Sequence, residues 1–190
     1  MPSPLPGRRI SCCSAWPAGA PACGCMGAQD LDRYGRTLAH LVDGDGRLLS
    51  EALIASGLGF ALAIPPNTRL AGCLFTVERQ ARLQRRGLWQ RSPVVRLDAK
   101  PPLRSGFGVW RGRVSGVGGS ARGAWLELEE RIFVRLGPGD LPARARQLEG
   151  RVVELRGWLI DRRQGGRKLD SGRLRWLLDI QDPRHLSPVD

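Results

Sequence analysis

This sequence has no long apolar run and very little lysine. No apolar stretch approaches the ~20 residues that a membrane-spanning helix needs, which argues against a membrane-embedded protein. Collagen and coiled-coil periods are absent too, which argues against a fibrous chain. The chain has 190 residues, of which 42% are hydrophobic and 25% charged. This composition is typical of a globular protein, and the length allows one large domain or two small ones.

The scarcity of lysine makes the positive charge almost entirely arginine. Only Lys100 and Lys168 are lysines among 30 basic residues, and with 18 acidic residues the formal net charge is +12. A basic protein attracts polyanions, so the charge favours nucleic-acid binding. Arginine is abundant here together with Gly, Ala and Pro, a bias typical of GC-rich coding. A solvated arginine surface is therefore the alternative explanation.

The first thirty residues differ in composition from the rest. They hold four of the five cysteines (Cys12, Cys13, Cys23 and Cys25) and show neither a helical nor a strand period. A secretory signal would have a poor apolar core, and a zinc site would lack the usual ligand spacing. The pattern favours a disordered or wrongly assigned N-terminus over residues 1–30. The compartment stays undetermined, and Cys73 is expected to be a small buried residue.

Residues 31–91 alternate between short strand and helix patterns. We expect a strand over 37–42, a turn at 43–46 and a return arm over 47–49. Ser50 is the expected N-cap of a helix over 51–55 that ends at Gly57.

The second half of this region predicts an apolar strand over 60–64 and then a longer helix. That helix is expected to begin after Asn67 or Thr68 and to end at Gly87. Its apolar residues fall on one face, with Trp89 closing the end: Leu70, Leu74, Val77, Ala81 and Leu88.

Four motifs in this region occur in one order. The run DRYGR at 32–36 is followed by EALIASGL at 51–58, by PPN at 65–67 and by a segment from Glu78 to Trp89 that ends in Gly-Leu-Trp. Together they resemble the staphylococcal nuclease, or thermonuclease, family. The resemblance covers about sixty residues and corresponds to the C-terminal half of that family's catalytic domain.

The resemblance implies a five-stranded OB barrel that hydrolyses phosphodiester bonds in DNA and RNA with Ca²⁺. Carboxylates hold the ion in such enzymes, and two arginines neutralise charge on the phosphorus. By its motif, Arg36 corresponds to the second arginine and is the candidate catalytic residue.

The family's metal ligands, its general base and its first arginine lie upstream of this motif. Asp30 is the one carboxylate among the first thirty residues here. We therefore expect no metal ligands and an incomplete first barrel, so that this chain looks truncated and inactive alone. A partner chain or a missing N-terminal segment would complete that barrel. Asp32, Asp43 and Asp45 are more simply explained as turn or hydrogen-bonding residues.

Residues 92–105 carry prolines at both ends and predict a linker, after which the pattern becomes strand-rich. Three strands over 109–136, a short helix ending at Leu148 and two further strands over 151–180 are the order of an OB fold. The fold class is therefore α+β and β-rich, with an incomplete OB-fold nuclease-like domain followed by a second OB-like barrel over 106–190.

Strand alternation assigns the outward faces of this second barrel. Trp125 and Trp158 fall on polar sides, where they would stack on bases or cover the rim of the barrel. The segment from Asp182 to Leu186 resembles the end of a C-terminal extension found on some bacterial thermonuclease-like proteins. The candidate nucleic-acid-binding residues are Arg111, Arg113, Trp125, Arg156, Trp158, Arg173 and Arg175.

Two functions remain open on this sequence. The first is a Ca²⁺-dependent nuclease with Arg36 in its site, and the second is a non-catalytic module that binds DNA or RNA. A degraded or wrongly assigned gene product without stable function is a third. Many members of the family are secreted or periplasmic, but this sequence shows no convincing signal peptide.

Overall fold

The computed structural model describes residues 23–24, 28–43, 47–120, 123–138, 140–166 and 168–189. The chain forms two compact units, Met1–Ser92 and Pro93–Asp190. Most of the segment 1–30, including Cys12, Cys13 and Cys25, lies outside the described residues, and so does the expected disorder there. No helix within the described residues is long and apolar enough to span a membrane.

The first unit holds two very short strands and two helices. Its elements are β1 (Cys23–Gly24), β2 (His40–Leu41), α1 (Leu49–Ala55) and α2 (Ala71–Leu83). β1 pairs antiparallel with β2, and a single bridge joins Val42 to Leu48. The expected hairpin is thus present as one bridge, and part of its turn, residues 44–46, lies outside the described residues.

Two local expectations for this unit were wrong. Leu48, not Ser50, is the N-cap of α1, and no side chain among the described residues caps that helix. Ser50 lies inside the helix, where its hydroxyl is buried and finds no hydrogen-bond partner among the described residues. Residues 60–64 do not form a strand, and within the described part of the chain Ile64 makes an isolated bridge to Asn67.

The helix α2 forms the core of the first unit with the face that its periodicity predicts. Leu70, Leu74, Val77 and Ala81 are all buried, which confirms the expected packing. Trp89 is buried too and contacts Phe60 at 5.5 Å between ring centroids. Leu88 is instead exposed, because the 3-10 turn Gly87–Arg91 directs Trp89 inward.

Close backbone contact between Gly57 and residues 86–88 fixes the chain that follows α2. Gly57 has a φ of +71°, and a Cβ there would lie 2.2 Å from the carbonyl oxygen of Arg86. Leu88 donates its N–H to the Gly57 carbonyl at 2.8 Å. Glycine is required at position 57, since any larger residue would push the two segments apart. Nearby, Cys73 is half-buried and disulfide-bonded, not simply buried as expected.

The second unit is a closed five-stranded barrel. Its barrel strands are β4 (Gly106–Ser120), β5 (Gly123–Leu128), β6 (Ile132–Leu136), β7 (Val152–Asp161) and β8 (Trp176–Ile180), with α3 (Leu141–Ala145) between β6 and β7. The strand order is β4-β5-β6-β8-β7, and pairing of β7 with β4 closes the barrel. The β6–β8 pair is parallel and the other barrel pairs are antiparallel. This is the OB topology, and the fold is α+β and β-rich as expected.

The barrel core consists of the inward residues of every strand. Leu126, Leu128, Ile132, Val134, Leu178 and Ile180 are all buried there. Alternation along β5 and β6 therefore places Trp125, Phe133 and Arg135 on the outer surface.

Two further strands extend this unit beyond the barrel. β3 (Val94–Arg96) pairs parallel with β4, and Leu97 is fully buried in the barrel core. The segment expected as a linker over 92–105 thus contributes a strand and a core residue. At the other end, β9 (Leu186–Pro188) pairs with β7 through Val153–Leu155.

Candidate nucleic-acid interface

Asp32 builds the loop that presents Arg36. One carboxylate oxygen of Asp32 accepts hydrogen bonds from the backbone N–H groups of Tyr34 and Arg36, at 2.8 and 2.9 Å. The other accepts from Nε of Arg36 at 2.6 Å. Gly35 has a φ of +77°, which permits the tight turn between them. The pKa of Asp32 lies below the usual value, mainly because the carboxylate accepts the backbone N–H of Arg36. The hydrogen bond from the Arg36 side chain lowers this pKa further.

The loop exposes two arginines around one aromatic ring. The Arg36 side chain is 75% exposed, and Tyr34 is 67% exposed. The guanidinium carbons of Arg33 and Arg36 lie 4.7 and 5.3 Å from the centre of the Tyr34 ring. Because Asp32 binds Nε of Arg36 and the side chain is mostly exposed, the outer edge of that guanidinium faces solvent. Guanidinium groups in this setting are suited to a phosphate, and the tyrosine ring is suited to a base or sugar.

The described residues do not offer a calcium site. Both Asp32 oxygens already accept hydrogen bonds within the loop, and Asp43 accepts the backbone N–H of Arg47 at 2.8 Å. Calcium binding requires six to eight oxygen ligands from converging groups. No group of three or more His, Cys, Asp or Glu side chains converges within the described part of the chain. The donor set therefore does not fit the ion that the resemblance implies.

On the barrel, Arg156 is not an exposed nucleic-acid contact as expected. It is 6% exposed, although it lies on the outward side of β7. The C-terminal segment causes this, since the turn Pro183–His185 and β9 lie against β7. Asp182 and His185 are buried in the same place. Alternation along β7 correctly gives the direction of Arg156 but does not reveal that a later segment covers it.

The four other predicted arginines each hold a structural contact. Arg111 pairs with Glu154 on the neighbouring strand at 2.9 Å, and Arg113 donates to the Gly150 carbonyl at 2.6 Å. Arg173 lies 3.1 Å from Asp170. Arg175 binds both carboxylate oxygens of Asp161, at 3.0 and 2.6 Å, and this hydrogen bonding lowers the pKa of that aspartate.

The two predicted tryptophans lie beside different aromatic partners. Trp158 is 51% exposed and contacts Phe107 edge to face, with 5.1 Å between ring centroids. Trp125 is partly exposed and stacks on Phe133 at 5.6 Å with an interplanar angle of 29°.

The sequence analysis did not identify Phe133 and Arg162 as candidate binding residues. The Arg162 guanidinium lies 4.8 Å from the centre of the Phe133 ring. Period-two alternation in 132–136 could have placed Phe133 outward beside Trp125. Arg162 follows β7 in a loop, and no local pattern predicts where its side chain folds back.

The barrel and the Arg36 loop together define a β-rich protein with OB topology and arginine–aromatic surfaces. Residues 24–91 match the family of staphylococcal nuclease homologues. No curated protein matches the chain. All four motifs from DRYGR to Gly-Leu-Trp fall within the matched segment, which confirms the resemblance. Residues 24–91 are thus similar to the staphylococcal nuclease homologues.

Proposed function

We propose that this chain binds nucleic acid through its nuclease-type unit and does not cleave it unaided. The observation that supports this is the Asp32–Arg36 loop, where the Arg36 guanidinium is exposed and both oxygens of the neighbouring Asp32 carboxylate accept hydrogen bonds. Binding of a phosphate requires the exposed guanidinium, whereas hydrolysis would also require a free carboxylate.

The chemistry of arginine limits what this site does. A guanidinium stays protonated and can neutralise a phosphate, but it offers no lone pair with which to accept a proton from water. Groups that act as a unit in hydrolysis also fail as a unit, so an arginine without base or metal supports binding with little acceleration.

Phosphodiester hydrolysis is the second candidate, and the match to the nuclease family favours it. It would require Ca²⁺ ligands beyond those that the described residues offer. The two candidates differ in one readout, because only hydrolysis changes the length of the nucleic acid.

The test combines cleavage and binding on the same substrates. Labelled DNA and RNA are incubated with the purified chain in millimolar Ca²⁺ or in EDTA, and binding is measured by fluorescence anisotropy. We expect binding in both buffers and no shortening of the substrate. Arg36→Ala should weaken binding roughly tenfold, since one charge-assisted contact is lost.

Arg79→Ala is the matched control, because it removes one exposed arginine from the surface of α2 in the same unit. Its affinity should stay near that of the wild type. Cleavage that needs Ca²⁺ and is lost in Arg36→Ala would replace this proposal with the nuclease. Equal losses in both variants would show that Arg36 contributes charge alone.

A further inference from the structure

The outer surface of the barrel carries a second aromatic and basic surface that the Arg36 loop does not include. The register of β5, β6 and β8 puts Trp125, Arg135 and Asp179 in one row. Phe133 lies in the adjacent row, opposite Glu127 of β5 and Leu177 of β8. The inward neighbours of these residues fill the core, so the outward side chains are fixed on a rigid sheet.

Two rings make the apolar part of this surface. Trp125 and Phe133 stack, and the six-membered ring of Trp125 lies over Gly118 of β4. A Cβ at position 118 would be 2.2 Å from a carbon of that ring, so glycine is what allows the indole to lie against the strand. Both rings are partly exposed, and the indole is held before any ligand arrives.

Two arginines lie beside the rings, Arg135 in register with Trp125 and Arg162 over Phe133. Arg162 lies over Phe133 and donates to the Leu174 carbonyl at 3.2 Å. Burial lowers the pKa of Arg162, and the nearby charges of Arg173 and Arg135 lower it further, while Asp179 opposes them. The loop segment 162–175 has six basic residues and one acidic residue. The positive charges of Arg162, Arg173 and Arg135 repel one another, and a polyanion relieves that repulsion.

We propose that Trp125, Phe133 and Arg162, here called the stacking face, bind single-stranded nucleic acid. The bases stack on the two rings, and the phosphates lie against Arg162 and the basic loop. Charge complementarity favours a nucleic acid over a neutral protein surface, and stacked rings favour single strands, whose bases are free. The ligand class rests on the proposed function, but the site is on the other unit.

The experiment measures the affinity of the full chain for fluorescein-labelled oligothymidylate and oligouridylate by anisotropy. Trp125→Leu keeps apolar volume but removes the aromatic face, so affinity should fall roughly tenfold. Trp125→Phe should recover most of that loss. Arg162→Gln should weaken binding several-fold, whereas Arg96→Gln, which changes an exposed arginine paired with Asp98 on β3, should have little effect.

Circular dichroism and thermal melting establish that each variant is folded. If Trp125→Leu unfolds, Gly118→Ala tests the same site, because it displaces the indole without altering it. Wild-type affinity in Trp125→Leu and Gly118→Ala would overturn the stacking face, as would equal affinity for a duplex of the same length. Arg36→Ala is measured on the same oligonucleotides. Loss in Arg36→Ala alone leaves the proposed function standing and this inference refuted, and loss in Trp125→Leu alone gives the reverse.

Discussion

At the scale of single residues, Glu78 shows how a charged side chain takes a core position. It is 2% exposed on the buried face of α2, and its carboxylate accepts the backbone N–H of Ala61 at 2.6 Å. This carboxylate satisfies a buried backbone donor of the apolar segment 60–64. A buried donor left unpaired costs about 1–3 kcal/mol, so Glu78 stabilises the fold through this hydrogen bond.

His185 is the residue whose titration should affect stability. Burial lowers its pKa to about 4, Asp182 opposes that shift, and Arg156 and Arg184 add to it. The unfolded chain therefore binds the proton near pH 6.5, before the folded chain does. The contribution of neutral His185 to the free energy of unfolding is therefore fully present above pH 6.5. The free energy of unfolding falls by about 3 kcal/mol as the pH drops to about 4.

Urea unfolding of the full chain between pH 7 and pH 4, followed by tryptophan fluorescence, measures this loss. His185→Gln removes the titrating group, so its curve should depend less on pH over the same range. Identical pH dependence in the two proteins would mean that His185 does not cause the acid loss.

At the scale of elements, a helix or strand can be predicted from the sequence when its buried residues recur with a regular period over several positions. The strands of the barrel could be placed within a few residues, because their inward side chains fill one core and alternation is long enough to detect. β2 is only two residues long, and no pattern of that length specifies a strand boundary. Ser50 has strong capping propensity, yet Leu48 is buried at 2% and its packing sets the start of α1.

The candidate site was less predictable than the fold for the same physical reason. The DRYGR motif identifies Arg36 because its five residues are adjacent and Asp32 organises them locally. The exposure of Arg156 depends on the C-terminal segment with β9, which covers it. The position of Arg162 depends on Phe133 of β6, because its guanidinium lies over that ring. Burial by distant segments has no signal in the local sequence.

The packing of α2 gives a prediction at this scale. Leu74 is buried in the core of the first unit with Ile54, Leu70 and Val77. Leu74→Asp places an unpaired charge there and removes apolar contact, which should cost more than about 4 kcal/mol and unfold the unit. Far-UV circular dichroism should show loss of helix, while Gln80→Asp on the exposed side of α2 should melt like the wild type. Full helical signal in Leu74→Asp would contradict the packing.

At the scale of the whole molecule, the net charge of +12 overstates how many arginines are available to a ligand. On the barrel, arginine–carboxylate pairs recur around the surface, as at Arg111, Arg135 and Arg175. These pairs join neighbouring strands or loops and so belong to the fold. Arg36 and Arg162 differ from these pairs because each guanidinium lies over an aromatic ring, which is why two local surfaces matter more than the total charge.

Salt dependence separates the two kinds of contact that the stacking face would make. Each phosphate contact on a single strand releases a counterion, so the logarithm of affinity should fall against the logarithm of salt concentration by roughly 0.7 per contact. Arg162→Gln should therefore reduce the slope by about 0.7 if its guanidinium meets one phosphate. Trp125→Leu removes stacking, which releases no ions, so its line should lie parallel to that of the wild type at lower affinity. The measurement is anisotropy with oligothymidylate over a series of salt concentrations, with Arg96→Gln as the control for loss of charge elsewhere on the unit. A flatter line for Trp125→Leu would mean that the indole acts by positioning arginines and not by stacking on bases.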